Sequence, residues 1–235
     1  MTRLARLVMP GHVHLVVQRG RGDLPVFRDA VDARVYLDAL AHGARECRVG
    51  VHGFGVLPGE ARLLLTPTDD AGLGALMQSV GRRYVRAHNL RHGLRGTPWE
   101  GRFRSTVVES PAHFVDALRF VEGLEAGLSD RPVALASSAA HHVGEQRQAL
   151  ITEHEAFWSL GNTPFDREAA YRRAAEVPIA PDALARLSDA ALKGWALGSA
   201  AFADALARAT GRRSRPLPRG RPRKSTMPAS GDRER

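Results

Sequence analysis

The chain has one cysteine, two lysines and no apolar run near the length of a bilayer span, and each shortage narrows what it can be. A single thiol, Cys47, excludes an internal disulfide framework and any cysteine-rich zinc site. On a helical stretch it reads as a small buried hydrophobe. No apolar run approaches the roughly 20 residues that span a membrane. The opening MTRLARLVMP carries two arginines but neither the apolar stretch nor the small-residue cleavage site of a secretory signal. These absences give the expectation of a cytoplasmic protein with no membrane partner. All but two of the 34 basic residues are arginine, the exceptions being Lys193 and Lys224. Arginine suits bidentate phosphate binding, but a GC-rich coding bias gives the same skew, so composition leaves both readings open.

What is present is an ordinary globular composition. Hydrophobic residues make up 43% and charged residues 25% of 235 positions, enough for a real core. The length suits one domain with an extension, or two small domains. The charge is unevenly placed. From Gly211 to Arg235 there are nine basic and two acidic residues, which leaves only +2 of the chain's +9 to the 210 residues before them. The end of the chain is a basic segment suited to polyanions, whereas the body needs local patches to bind nucleic acid.

Periodicity predicts a strand at 12–18, a helix from Arg28 to Arg48, and strands at Val49–Leu57 and Ala61–Thr66 joined by Pro58-Gly59 into a hairpin. A second helix is predicted from Leu73 to Leu90 and a short strand from Thr106 to Glu109. A third helix runs to about Gly123, with Ser110 as N-cap and Pro111 at its first position. The order β-α-β-β-α-β-α points to an α+β domain, a ferredoxin-like antiparallel sheet with packed helices. Residues 129–145 carry few signals and read as a loop. Helical patterns recur at 150–160, 166–176, 181–192 and 199–209. The expected organisation is an α+β domain over 1–130, a helical extension over 131–210, and a disordered basic tail over 211–235.

Four segments carry chemistry. On the second helix Arg82, Arg83 and Arg86 cluster within about one turn, as a solvated face or as a polyanion grip. In the stretch Trp99-Glu100-Gly101-Arg102-Phe103-Arg104, aromatic rings and arginines alternate. That pattern stacks bases and holds phosphates on a single strand, or else buries Trp99 and Phe103 and solvates the arginines. The tail segment Arg219-Gly220-Arg221-Pro222-Arg223-Lys224 has AT-hook-like spacing, in which a glycine between arginines enters a narrow minor groove. It also reads as a generic basic tail. His12 and His14, two apart on a strand, share a face and form a possible metal pair, though no third ligand is evident.

Several of these segments resemble the REP-associated tyrosine transposases of the HUH single-strand DNA transposase superfamily. The resemblance lies in Pro10-Gly11 through Gly20, Pro25-Val26-Phe27, Gly50-Val51-His52 through Pro58, Leu63-Leu64-Leu65-Thr66-Pro67, Met77 through Val85, and Trp99 through Ser105. Gly194-Trp195-Ala196-Leu197-Gly198 and Gly220 through Lys224 resemble longer members. The match covers about residues 1–130 well and the rest patchily. The resemblance implies a metal-binding pair of histidines on a strand and a tyrosine on a following helix that forms a phosphotyrosine link to DNA. It also implies recognition of structured single-stranded DNA hairpins and a possible homodimer.

The departures fall on those catalytic positions. Where the family strand reads M-P-N-H-V-H-L-L, this chain has Leu57-Pro58-Gly59-Glu60-Ala61-Arg62-Leu63-Leu64, so Glu60 and Arg62 replace the two histidines. Where the family helix reads R-Y-I-E-L-N-P-V-R-A-G-L, this chain has Arg119-Phe120-Val121-Glu122-Gly123 through Leu128, two residues shorter, with Phe120 in place of the tyrosine. Arg62 is expected to repel Mg²⁺ and pair with Glu60, or to act as a phosphate clamp. The leading expectation is therefore a DNA-binding relative without a cofactor and without catalysis. It would hold a hairpin through Arg82, Arg83, Arg86, Trp99, Arg102 and Arg104, and duplex through Arg219, Arg221, Arg223 and Lys224. The alternatives are an enzyme with a relocated site (Tyr84 with His12 and His14, using a divalent cation) and a structural remnant that binds nothing.

Overall fold

A computed structural model describes residues 6–22, 25–127 and 134–216. The tail residues Arg219, Arg221, Arg223 and Lys224 lie outside them. Five strands form one antiparallel sheet: β1 (Val13–Arg19), β2 (Val49–Leu57), β3 (Glu60–Pro67), β4 (Arg104–Val108) and β5 (Ala136–Ser137), in the order β4-β1-β3-β2-β5. The first four strands have the expected ferredoxin-like arrangement, with β3 between β1 and β2. The β2–β3 hairpin turns through Pro58-Gly59, which fixes Leu57 opposite Glu60 and Gly55 opposite Arg62.

Helices α1 (Ala30–Glu46) and α2 (Gly72–His92) cover one face of the sheet. Asp29 caps α1, accepting from the backbone N–H groups of Val31 and Asp32. Val16, Leu63 and Leu65 point from the sheet into this layer, where Phe27, Tyr36, Tyr84 and Trp99 form an aromatic cluster. Alternation sends Val13, Leu15, Val17 and Leu64 to the other face. There α3 (Ser110–Val121) packs with α4 (Ala139–His142), α5 (Glu155–Trp158), α6 (Pro164–Glu176) and α7 (Pro181–Lys193). Helices α4 to α7 therefore bury their apolar faces in the same core cluster as β1 and α3. The last described helix is α8 (Ala200–Thr210).

Four local expectations change. The segment read as a loop at 129–145 contains β5 and α4: Ser138 accepts from Phe54 N–H, and its neighbours pair with β2. Short polar-apolar sequence hid a strand whose reason is the free edge of β2. The helix expected at 150–160 shrinks to one turn, because Thr152 N–H donates to Val51 in the sheet instead. Ser110 is the first residue of α3 and Glu109 precedes it, its carboxylate turned away to accept from Ser199 at the start of α8. Cys47, expected to be buried, is the half-buried C-cap of α1.

Candidate nucleic-acid interface

Glu60, Arg62 and Phe120, where the sequence resemblance would put catalytic groups, converge on the α3 face of the sheet. Glu60 and Arg62 alternate with Ala61, so both point away from the α1–α2 layer. Above them, α3 can approach because β2 is bare: a Cβ on Gly55 would collide with the Val121 carbonyl. That close approach sets Phe120 over β3. The Arg62 guanidinium carbon lies 4.2 Å from the Phe120 ring centroid. Its Nε donates to Glu60 Oε1 at 2.6 Å, and NH1 donates to the Phe120 carbonyl at 2.7 Å and to Glu125. Glu60 in turn accepts from Arg19 Nε at 3.0 Å. Leu184, Ser188, Ala191 and Leu192 of α7 close the remaining side.

This arrangement does not suit the divalent cation that the family resemblance implies. Two carboxylates are present, but a fixed guanidinium lies between them, bonds to one oxygen of each and places its positive charge where a cation would sit. Phe120 offers no oxygen for a phosphotyrosine link. The pairing of Arg62 with Glu60 is as expected, and Glu125 joins it. With both carboxylates bonded to it, Arg62 has little net positive charge to offer a phosphate.

The relocated site fares no better. Tyr84 is fully buried, and its hydroxyl donates to the Val26 carbonyl at 2.5 Å. Burial, followed by the nearby Asp32 carboxylate, pushes its ionisation well above the usual tyrosine range. His14 is also buried. Its Nδ1 bonds to the His12 carbonyl at 2.8 Å and its Nε2 accepts from Met9 N–H at 3.2 Å, so neither nitrogen is left for a metal. Tyr84 and His14 are held by the fold, and half-buried His12 bonds through Nδ1 to the Pro10 carbonyl at 3.2 Å.

A basic groove adjoins the Arg62 site and shares Val17, Arg19 and Leu192 with it. The groove encloses about 360 Å³ between β1, the 100–105 segment, the C-terminal end of α7 and Arg212. Arg6, Arg19, Arg102, Arg104, Lys193 and Arg212 line it, with Glu100 the one acidic lining residue among the described residues. Arg6 lies 3.8 Å above the Phe103 ring centroid and donates to the Phe103 carbonyl. Burial, then the charge of Arg102, lowers its pKa. Burial does the same to Arg212, which bonds to the Gly194 carbonyl and has no carboxylate partner among the described residues. Arg19, Arg104 and Lys193 are paired with Glu60, Glu100 and Asp189, whereas Arg6, Arg102 and Arg212 have no carboxylate partner among the described residues, and these three favour an anion in the groove.

The Gly194-Trp195-Ala196-Leu197-Gly198 segment builds one wall. Gly194 ends α7 in the left-handed region at φ 69°. The chain then runs beside β4, with Leu197 N–H donating to Val107 and Glu109 N–H to Leu197, so it covers an edge strand. Trp195 is held partly exposed at the groove, its carbonyl accepting from the Thr106 hydroxyl.

Of the expected DNA contacts, Arg102 and Arg104 meet in this groove. Trp99 does not: it is 4% exposed and packed against Phe27, Tyr36 and Tyr84, so no base can stack on it. Arg82, Arg83 and Arg86 are exposed on α2, in the layer on the opposite face of the sheet from Val17 and Arg19. Arg83 is bonded to His42 at 2.6 Å. Sequence reasoning missed Arg6, Arg19, Lys193, Trp195 and Arg212. Only the glycine-flanked Trp195 motif carried a signal.

Among solved structures, the chain is similar to the REP-associated tyrosine transposase bound to a REP hairpin, at 14% identity and a TM-score of 0.49, over 66% of this chain and 93% of that one. It is also similar to a candidate transposase from Deinococcus radiodurans R1, at 20% identity and a TM-score of 0.37, over 51% of this chain and 94% of that one. No protein-family model matches the chain, and no curated protein does. No helix among the described residues is long and apolar enough to cross a membrane.

Proposed function

We propose that this chain is a DNA-binding relative of the REP-associated transposases that grips a structured single strand in the basic groove and does not cleave it. The observation that carries the reading is the position of the groove. Six cationic side chains and a partly exposed indole adjoin the place where the family resemblance puts its chemistry, and at that place Arg62 bridges Glu60 and Glu125. The groove offers what single-strand binding needs, charge along a backbone path and a ring for a base. The Arg62 cluster offers neither a nucleophile nor a cation site.

One incubation tests both halves. The full chain is mixed with a 5′-labelled DNA hairpin, with and without MgCl₂ or MnCl₂. Half is run on a native gel and half on a denaturing gel. A shifted band on the native gel with no protein-linked label after denaturation is the expected result. A metal-dependent covalent adduct would overturn the loss of chemistry, and the absence of any shifted band would overturn the binding.

A further inference from the structure

The α1–α2 pair holds a group of side chains that the DNA-binding reading does not use. Asp32 sits in the first turn of α1, and His88 and His92 are one turn apart near the end of α2. One ligand atom from each lies within 4.8 Å of the others. His88 is 3% exposed, and neither ring nitrogen has a hydrogen-bond partner among the described residues. A buried imidazole with both nitrogens unbonded is costly in a core that has no need of its polarity. His92 Nε2 lies 3.0 Å from both Asp32 oxygens, and the two histidine ring centroids are 4.7 Å apart.

We infer that Asp32, His88 and His92 form a binding site for a divalent transition ion of the zinc class, which clasps the start of α1 to the end of α2. Two imidazoles and one carboxylate are the donor set of three-ligand zinc sites, with the fourth position left for water. The spacing of His88 and His92 places both rings on one helix face. The contact between His92 Nε2 and Asp32 has the length of an ordinary N–H···O hydrogen bond. With metal–ligand bonds of about 2.0–2.1 Å, a cation replacing that proton needs only a small outward shift of the two groups. The same cation gives His88 its missing partner.

Two guanidiniums compete: that of Arg28 lies 3.5 Å from His92 Nδ1, and Arg91 Nη1 also reaches Asp32 Oδ1 at 2.5 Å. The Arg91 guanidinium is held independently by Asp29, through NH1–Oδ1 at 2.8 Å and NH2–Oδ2 at 2.6 Å. Arg91 therefore keeps two of its three bonds if Asp32 turns to the ion. Asp29 offsets its charge. Arg28 N–H, which donates to Asp32 Oδ2 at 2.9 Å, orients the carboxylate as an outer hydrogen bond would.

The test uses the full chain stripped with EDTA. Isothermal titration with ZnCl₂ reads stoichiometry, and melting temperature reads the coupling to folding. The expected result is one equivalent bound, with Tm rising by roughly 5–10 °C at a hundredfold excess over Kd. MgCl₂ is expected to leave Tm unchanged. His88→Gln and His92→Gln are each expected to weaken zinc binding at least tenfold, while His12→Gln binds like the wild type. Should a variant fail to fold, CoCl₂ added to the wild-type chain reads the site directly, through the visible absorption of a low-coordinate nitrogen–oxygen site. No zinc-dependent rise in Tm, unchanged affinity in both folded variants, or a cobalt spectrum of the octahedral aqua ion would each overturn the assignment.

Discussion

Arg62 stacks 4.2 Å from the centroid of the Phe120 ring while bonding to the Phe120 carbonyl, so one residue of β3 is fixed to both the ring and the backbone of α3. In this account the two replaced family positions hold each other. Arg62 also serves Glu60 and Glu125, which have little solvent to fall back on. Replacing Arg62 with alanine leaves Glu125 uncompensated and Glu60 with Arg19 alone, and is expected to cost about 3 kcal/mol. The urea midpoint checks this, and a midpoint within error of the wild type would contradict it. Phe120→Tyr alone is expected to yield no covalent DNA adduct on a denaturing gel, because the guanidinium remains where the family resemblance would put a metal.

The two tryptophans of the basic region should separate stability from binding. Trp99 belongs to the core, so Trp99→Ala is expected to cost about 3–5 kcal/mol in denaturant unfolding. Trp195 lines the groove and is only partly covered. Trp195→Phe keeps a ring of smaller area and should retain binding, whereas Trp195→Ala should weaken hairpin affinity by roughly 5- to 150-fold, equivalent to about 1–3 kcal/mol of stacking. Far-UV circular dichroism and anisotropy on the same samples distinguish the two cases. Equal loss of binding and fold in both would remove Trp195 from the interface.

Stability should depend on pH through two buried histidines. Burial lowers the pKa of His14 to about 4 from an ordinary 6.5, against the raising effect of the His12 carbonyl. Burial, opposed by the bond to the Thr152 carbonyl, lowers that of His52 to about 4 as well. The unfolded chain therefore binds more protons between these values. The folded state is at full strength above pH 6.5, weakens as pH falls toward 4, and loses up to about 3 kcal/mol per histidine over that window. Urea midpoints at pH 7.5 and 5.5 check the slope before most carboxylates titrate. His52→Gln should flatten the profile, and a midpoint that rises on acidification would contradict the account.

The strand and helix order was legible because alternation and 3.6-residue periodicity are local. The Pro58-Gly59 hairpin and the Arg62–Glu60 pair followed from that same local pattern, since residues two apart on a strand share a face. What was not legible depended on distant partners. Glu125 reaches Arg62 across 63 positions, and β5 exists because the edge of β2 is free. Trp99 and Trp195 have the same composition cues of glycine and charge nearby. Only the fold shows that the first fills the α1–α2 core and the second borders the groove. The arginines of α2 read equally as a solvated face or a polyanion grip, and they lie in a different layer from Arg102 and Arg104.

The central claim is that the groove holds DNA. The most direct measurement is fluorescence anisotropy of a labelled DNA hairpin titrated with the full chain and with the Arg6→Ala/Arg102→Ala variant, at 50 and 200 mM salt. The account predicts salt-sensitive binding that weakens roughly tenfold or more between the two salts. It also predicts at least tenfold weaker binding by the variant at low salt with an unchanged melting temperature, and tighter binding to the hairpin than to an unstructured strand. Equal affinities for the wild type and the folded variant would contradict it, because the groove would then contribute nothing to holding the strand.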